Sequence, residues 1–122
     1  MKKIAFPVND QKGIDGTISG HFGAAKYFFL VDVDEQSRDV KDQSFIDNPP
    51  HSLGGCMMPV RLLAENGANM LVVGGIGMRP LMGFRQAGIT VMHNSNPDVT
   101  IGALVKDLDK LPIIDQSTCG GH

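Results

Sequence analysis

Cysteine, tryptophan and tyrosine are scarce in this 122-residue chain: it has two cysteines, no tryptophan and a single tyrosine, Tyr27. So few aromatic rings argue against a stacking platform for single-stranded nucleic acid. Lysine and arginine are scattered singly and the formal net charge is −2, so no basic stripe is present for a phosphate backbone. These absences exclude nucleic acid as the expected partner.

Long apolar runs are also missing. The N-terminal segment MKKIAFPV is interrupted by Pro7 before it reaches signal-peptide length, and no run is long enough to span a membrane. We therefore expect a cytoplasmic protein without a membrane partner. Thiols stay reduced in that compartment, so Cys56 and Cys119 are interpreted as ligands or small apolar side chains rather than as a disulfide.

The distribution of apolar runs, glycine and proline predicts an α/β fold. Strands are expected at Lys3–Val8, 25–33, 40–47, Met70–Val73 and 89–94. Helices are expected at 56–68, 79–88 and 96–111. In the last of these helices Asn96 is the expected cap and Pro97 the first residue. This order predicts three layers: a mixed sheet, with an antiparallel hairpin part and a parallel βαβ part, flanked by helices. It is the order of ribonuclease H-like folds. We predict a single domain over 1–112 and a flexible tail over 113–122.

We call the end of the sheet at which the first strand finishes the rim. Strand direction predicts which loops lie at the rim. If the last two strands run parallel to the first, their ends at Gly74 and His93 reach the rim, as do the loops 9–23 and 47–55. Open α/β sheets bind ligands beyond the carboxyl ends of their strands. Members of this predicted rim are His21, His51, Cys56, the turn Gly74–Gly77, His93 and Asn94.

His21 and Cys56 are the strongest candidate ligands on this rim. His21 lies in the loop segment SGHFG, where a neutral imidazole can bind iron or another transition metal; the alternative is a surface histidine packed by Phe22. Cys56 opens a helix, where unpaired N–H groups favour a thiolate, and Met57 and Met58 beside it can add weak thioether ligation. The alternative for Cys56 is a small buried apolar side chain.

Two further segments carry weaker indications. The glycines Gly74, Gly75 and Gly77 separate a strand from a helix, so their N–H groups can face an anion, although the spacing matches neither the dinucleotide fingerprint nor a P-loop. At the C-terminus, Cys119 and His122 have a spacing that suits one metal ion but offer two of the four ligands that a zinc site needs. Ten extended residues reach about 33 Å, so the tail can return from the far end of the sheet to the rim.

The segments SGHFGAAKYF, GGCMMPVRLLAENGA and GGIGMRPLMGFRQAGITV together resemble the dinitrogenase iron–molybdenum cofactor biosynthesis family, the small NifX- and NifY-like proteins associated with nitrogen fixation. The likeness extends from Lys2 to about Leu108. It implies a ribonuclease H-like fold and non-catalytic binding or carriage of iron–sulfur or iron–molybdenum cluster precursors, with His21 implicated in cluster binding. The chain departs from the family pattern at Met78 and Arg79, where a simpler Gly-Pro turn is expected.

The resemblance and the rim together favour a metal-cluster carrier. In this hypothesis His21 and Cys56 supply the first ligands, with His51 nearby and with Cys119 and His122 as a mobile clamp. Arg79 and the turn amides balance the charge of an anionic cluster, and a cluster donor or acceptor protein is the expected partner. The alternative is a small-anion or metabolite sensor that uses the glycine turn. An enzyme is least favoured, because no acid–base pair is evident and the first strand has no carboxylate for two-metal cleavage.

Overall fold

The computed structural model describes residues 2–20, 22, 25–48 and 57–114, without the side chains of Met57 and Met58. Within these ranges the chain forms five strands, three α-helices and two short 3₁₀ turns. The strands are β1 (Lys2–Val8), β2 (Tyr27–Val33), β3 (Val40–Asp47), β4 (Met70–Val73) and β5 (Thr90–His93); the helices are α1 (Met57–Glu65), α2 (Met78–Gln86) and α3 (Ile101–Lys106); the 3₁₀ turns are Gly13–Asp15 and Leu108–Lys110. No helix among the described residues combines the length and apolarity needed to cross a membrane.

The described strands form one mixed sheet in the order β3-β2-β1-β4-β5. β1 is antiparallel to β2, with Phe6 opposite Phe29, and β2 is antiparallel to β3. β4 is parallel to both β1 and β5. The prediction of a mixed sheet with an antiparallel hairpin part and a parallel part is confirmed, whereas the ribonuclease H-like label remains a prediction.

Both faces of the sheet are buried along β1, β2, β4 and β5, which makes the molecule three layers deep there, whereas β3 has no buried residue. Alternate residues of each strand point to opposite faces. On one face Ala5, Leu30 and Leu71 pack with side chains of α1 and α2, and on the other Ile4 and Phe6 pack with side chains of α3. Each fully buried leucine or phenylalanine contributes about 1.5–3 kcal/mol, so these two cores account for most of the favourable free energy of folding.

Glycine ends α1 and α2, as the sequence predicts. Gly67 and Gly88 have φ values of 79° and 81°, a left-handed conformation that costs glycine little. The next residue then donates its N–H back to the helix: Ala68 to the carbonyl of Leu63 at 3.0 Å, and Ile89 to the carbonyl of Phe84 at 2.9 Å. These Schellman-type bonds satisfy the last carbonyls and turn the chain directly into β4 and β5.

The predicted start of the third helix at Asn96 is wrong. Asn96 closes a turn instead, because its carbonyl accepts from Val99 N at 3.3 Å and its Oδ1 accepts from Asp98 N at 3.0 Å. Thr100 is extended, bridges Thr17 and caps α3 through its side chain, which accepts from the helix N–H at Ala103. The long-range bridge holds residue 100 out of the helix, so α3 begins at Ile101.

The chain after α3 returns along the edge of the sheet. His93 N donates to the carbonyl of Pro112 at 2.9 Å, Ile114 N donates to the carbonyl of Val91 at 2.8 Å, and Ile113 bridges Met92 in antiparallel direction. Residues 113 and 114, which the sequence analysis assigns to the tail, therefore pair with β5, and Ile114 is buried against the sheet. The domain division at 112 remains a prediction, and 115–122 lie outside the described residues.

Candidate functional site

The described part of the rim is the set of segments that follow β1, β3, β4 and β5. Lys26 N donates to the carbonyl of Val8, and Asn48 N donates to the carbonyl of Lys26, both at 3.0 Å, so the ends of β1 and β3 meet at this end of the sheet. Asn48 Nδ2 donates to the carbonyl of Ala25 at 2.7 Å. Its Oδ1 is buried and has no hydrogen-bond partner within the described residues. This acceptor can take a donor from an adjoining loop or from a ligand.

Three consecutive carbonyls fix the orientation of the glycine turn. The carbonyl of Val73 accepts from Asn94 N at 2.9 Å and the carbonyl of Gly75 accepts from Phe22 N at 3.1 Å. Between them, the carbonyl of Gly74 lies 3.1 Å from Nε2 of His93. Because these donors come from two different segments of the rim, the turn is held between the loop after β1 and the end of β5.

The loop after β1 packs directly on Gly74. A Cβ atom at this position would lie 3.4 Å from the carbonyl oxygens of both Ser19 and Gly20, so the loop leaves little room for a side chain there. Ser19 N also donates to the carbonyl of Pro7 at 2.7 Å, which ties the loop to the end of β1. The segments SGHFG and GGIG, far apart in sequence, therefore meet at the rim.

Phe22 anchors this loop in the core. Its side chain is 3% exposed. The ring lies 5.5 Å from that of Phe28 and 5.3 Å from that of Phe84, the latter edge-to-face, a geometry that adds about 0.5–1.5 kcal/mol to the burial of each ring. Phe22 belongs to the main core between the sheet and the helices α1 and α2, and whether it also packs against His21 remains a prediction.

The N-terminus of α2 is exposed and lacks a side-chain cap. Gly77 occupies the capping position with extended backbone and has no side chain to accept a helix N–H. Met78 and Arg79 follow on the surface, and Pro80 has no N–H to offer. The first N–H groups of a helix have no carbonyl partner and carry a partial positive charge. Met78 and Arg79 stand where a simpler Gly-Pro turn is expected. They therefore add a thioether and an exposed cation to the end of the helix that already attracts anions.

His93 and Asn94 are rim residues to which the sequence assigned no role. Asn94 is buried, and its side chain is fully engaged with Asn96: Nδ2 donates to the carbonyl at 2.9 Å and Oδ1 accepts from the backbone N–H at 3.2 Å. His93 is partly buried and points its Nε2 at Gly74. Their position in the sequence could have identified them as candidate site residues, because they are the first polar residues after a buried strand.

A family model described as dinitrogenase iron–molybdenum cofactor matches residues 1–110. The chain belongs to this family. The family membership expected from the segments around His21, Cys56 and Gly74 is thereby confirmed.

Several proteins are similar to this family member in sequence or structure. An uncharacterised protein of Methanocaldococcus jannaschii, MJ0580, is 28% identical over 95 residues, which is 75% of this chain and 73% of that protein. The apo form of the orange protein from Desulfovibrio gigas superposes with a TM-score of 0.80 at 25% identity and covers 98% of both chains. The Thermotoga protein TM1290 has a TM-score of 0.76 at 19% identity, covering 99% of this chain and 100% of that one, and supports the fold alone.

The candidate metal ligands of this family member lie outside the described residues. These are His21, His51, Cys56, Cys119 and His122. Among the residues that the structure does describe, no group of three histidine, cysteine, aspartate or glutamate side chains could hold a metal ion. Their neighbours in sequence are described at several points: Gly20 and Phe22 flank His21, and Met57 follows Cys56 as the first residue of α1. The ligand set itself remains a prediction.

Proposed function

We propose that this member of the dinitrogenase iron–molybdenum cofactor family binds and carries an iron–sulfur or iron–molybdenum cluster precursor at the rim, without catalysing a reaction. The observation that carries the proposal is the contact of the loop Ser19–Phe22 with the turn Gly74–Gly75. It joins the two segments on which the family resemblance is most specific. Because these two segments lie far apart in the sequence, the proposed site forms only when the chain is folded.

His21 and Cys56 are the proposed first ligands. Support for His21 comes from its neighbours in the chain: the carbonyl of Gly20 lies 3.4 Å from the position that a Cβ of Gly74 would take, and Phe22 N donates to the carbonyl of Gly75. Imidazole and thiolate together suit iron and iron–sulfur clusters better than the hard cations that prefer oxygen ligands. His51, Cys119 and His122 are proposed as additional ligands, the last two supplied by the C-terminal segment.

The glycine turn and Arg79 are proposed to stabilise the charge of the cargo. Clusters ligated by sulfide are anionic, and the uncapped start of α2 presents N–H groups at the end of the helix dipole that favours negative charge. Gly74, Gly75 and Gly77 keep this approach free of side chains, and Arg79 adds an exposed guanidinium beside it. The turn is held in place by hydrogen bonds to the carbonyls of Val73, Gly74 and Gly75, which leaves its N–H groups for the cargo in this proposal.

The comparison with the orange protein supports a removable cargo. The structure of that protein is of its apo form, which means the protein without a group that it also binds. The superposition covers nearly the whole of this chain. A carrier must also receive and release its cargo, so a cluster donor or acceptor protein is proposed as the partner.

Anaerobic reconstitution with ferrous iron and sulfide tests this function. We expect the wild-type chain to acquire a visible sulfide-to-iron absorption and bound iron, and the double variant His21→Ala/Cys56→Ala to acquire neither while unfolding at a similar temperature. Gln43→Ala, an exposed change on β3, is the matched control and should bind as the wild type does. A colourless wild-type product, or equal iron binding by the double variant, contradicts the proposal.

A further inference from the structure

A cavity at the end of the sheet opposite the rim is lined by residues from several parts of the chain. Its volume is about 210 Å³, and its lining comes from the start of β1, the turn from β2 into β3, the strands β4 and β5, and the 3₁₀ turn after α3. We propose that this cavity binds a free α-amino acid with an apolar side chain. The site lies away from the rim, and the proposal does not rest on the cluster function.

Buried apolar side chains form the floor of the cavity. They are Met70, Met92 and Leu108, which all belong to the core on the α3 face of the sheet. Methionine is unbranched and flexible, so the two thioether side chains can adapt to aliphatic groups of different shape. Pockets for drug-sized ligands measure about 300–1,000 Å³, so this smaller cavity suits a short aliphatic group.

Charged groups of both signs surround this floor. Lys2 and Arg38 supply two cations, and Glu35 and Asp109 supply two anions, so the formal charge of the lining is zero. The ammonium of Lys2 lies 3.9 Å from the carboxylate of Glu35, and Arg38 pairs with Asp109. A ligand with a net charge is attracted by one sign and repelled by the other, whereas a zwitterion can use both. An apolar amino acid combines an ammonium, a carboxylate and an aliphatic group, which match the three kinds of surface in the cavity.

The guanidinium of Arg38 is the partner that best suits the carboxylate of the ligand. A guanidinium can bind a carboxylate through two parallel N–H bonds. The side chain of Arg38 is 21% exposed, whereas that of Asp109 is 83% exposed. An ion pair with so exposed a carboxylate stabilises the fold little. The carboxylate of a ligand can therefore replace Asp109 at small cost, and Asp109 is then free to accept from the ligand ammonium.

The backbone of Arg38 supports a binding role. Among the described residues other than glycine, Arg38 alone has a positive φ, 64°. This conformation is unfavourable for a residue with a Cβ, and such strain is concentrated at functional sites. The turn itself is closed by backbone bonds, from Arg38 N to the carbonyl of Asp34 at 2.9 Å and from Asp34 N to the carbonyl of Asp39 at 3.0 Å. Glycine would make the same bonds without strain, so the guanidinium explains an arginine here better than the turn does.

Methyl NMR of the full chain tests where the ligand binds. In protein labelled with ¹³C at the methionine methyl groups, L-leucine at millimolar concentration should shift the resonances of Met70 and Met92. The resonances of Met78 and Met82, which are exposed on α2, should stay unchanged. No shift at Met70 and Met92, or equal shifts at all four methyl groups, would overturn the proposal.

Two analogues of leucine test the chemical class of the ligand. Isocaproate lacks the ammonium group and isoamylamine lacks the carboxylate, while both keep the aliphatic part. In isothermal titration calorimetry each should bind at least about tenfold more weakly than leucine, because hydrogen bonds to charged groups are lost. Isocaproate or isoamylamine binding as tightly as leucine would overturn the assignment of an amino acid.

Variants of Arg38 separate binding from stability. Arg38→Gln removes the charge, and Arg38→Gly also relieves the backbone strain. Both should bind leucine at least about tenfold more weakly, while Arg38→Gly should unfold at a temperature no lower than the wild type. Lys110→Gln, an exposed change on the same 3₁₀ turn but outside the cavity lining, is the matched control and should bind as the wild type does. Wild-type affinity in both Arg38 variants, or an equal loss in Lys110→Gln, would overturn the proposal. None of these measurements involves iron, so their failure would leave the cluster function untouched.

Discussion

At the end of the sheet where β2 turns into β3, ion pairs between side chains hold the structure, whereas the described part of the rim is held mainly by hydrogen bonds to backbone carbonyls. Asp34 Oδ1 accepts from the N–H groups of Gln36 at 2.9 Å and Ser37 at 3.1 Å, and closes the hairpin turn. The Arg38 guanidinium pairs with Asp109 in the 3₁₀ turn after α3. Further ion pairs at this hairpin end join Lys2 to Glu35 and Lys3 to Asp32.

The rim is built in the opposite way. Its turn is fixed by the carbonyls of Val73, Gly74 and Gly75, its helix start has no side-chain cap, and Met78 is 48% exposed. Rim side chains are engaged too, since Asn48, His93 and Asn94 each bond to a backbone carbonyl, but the ion pairs named above all lie at the hairpin end.

Phe22→Ala should produce the largest effect and break the rim end selectively. Removing a ring that is 3% exposed and packed on two other rings should lower the free energy of unfolding by about 3–5 kcal/mol. If His21 is a cluster ligand as proposed, cluster affinity should fall as well, because Phe22 is the next residue in the chain. Urea denaturation followed by circular dichroism measures the first effect and iron uptake the second.

Phe45→Ala is the matched control at the hairpin part of the sheet. Its ring stacks on Phe29 at 4.6 Å but is partly exposed, so the loss should be smaller, about 1–2 kcal/mol, and iron uptake should be unchanged. Equal losses of iron uptake in the two variants would show that general destabilisation, rather than the position of the loop, governs binding.

Substitutions at Gly77 should separate stability from binding at the start of α2. Gly77→Ser and Gly77→Asp each provide an oxygen for the N–H of Arg79, and a new Cβ would meet only Pro80 Cδ at 3.8 Å. Both should therefore raise stability by a few tenths of a kcal/mol, and aspartate should gain slightly more from the helix dipole. If the cargo is anionic, both variants should weaken its binding because both occupy the N–H of Arg79, and Gly77→Asp should weaken it more because it also adds a negative charge.

Thermal unfolding and iron titration of the two Gly77 variants provide the measurements. Tighter binding by Gly77→Asp than by Gly77→Ser would indicate that the group bound beside α2 is a cation, which contradicts the proposed role of the turn amides and Arg79.

The rim could be predicted from sequence because its position depends on local rules. Glycine and proline mark the ends of α1 and α2, and strand direction then follows from counting elements, so the order of residues alone assigns Gly74 and His93 to one end of the sheet. The start of α3 could not be predicted, since Asn96-Pro97 has the local form of a helix start and the bridge from Thr17 to Thr100 that overrides it is a tertiary contact.

The tertiary contacts at and near the candidate site could not be predicted from the sequence either. The bond from His93 to Gly74 and the pairing of Ile113 with Met92 depend on which strands become neighbours and on side-chain rotamers, and neither leaves a periodic pattern. Sequence therefore predicted that Gly74, His93 and Asn94 lie at one end of the sheet, whereas the bond from His93 to Gly74 and the burial of Phe22 follow only from the tertiary packing.

Acid should weaken the hairpin end through Asp34, the smallest effect expected here. The N–H groups of Ser37 and then Gln36 stabilise the carboxylate and lower its pKa from the ordinary value of 3.8. A lowered pKa in the folded state stabilises the fold above the unfolded pKa, and this contribution is lost as the pH falls below 3.8 through the folded value.

Asp34→Asn keeps an oxygen for the same two N–H groups but does not titrate. The difference in unfolding free energy between wild type and Asp34→Asn should therefore be constant at neutral pH and should shift against the wild type below 3.8, as urea denaturation at a series of pH values can measure. A difference that is independent of pH would mean that these side-chain bonds do not secure the hairpin end, and the contrast with the rim would then depend on the ion pairs alone.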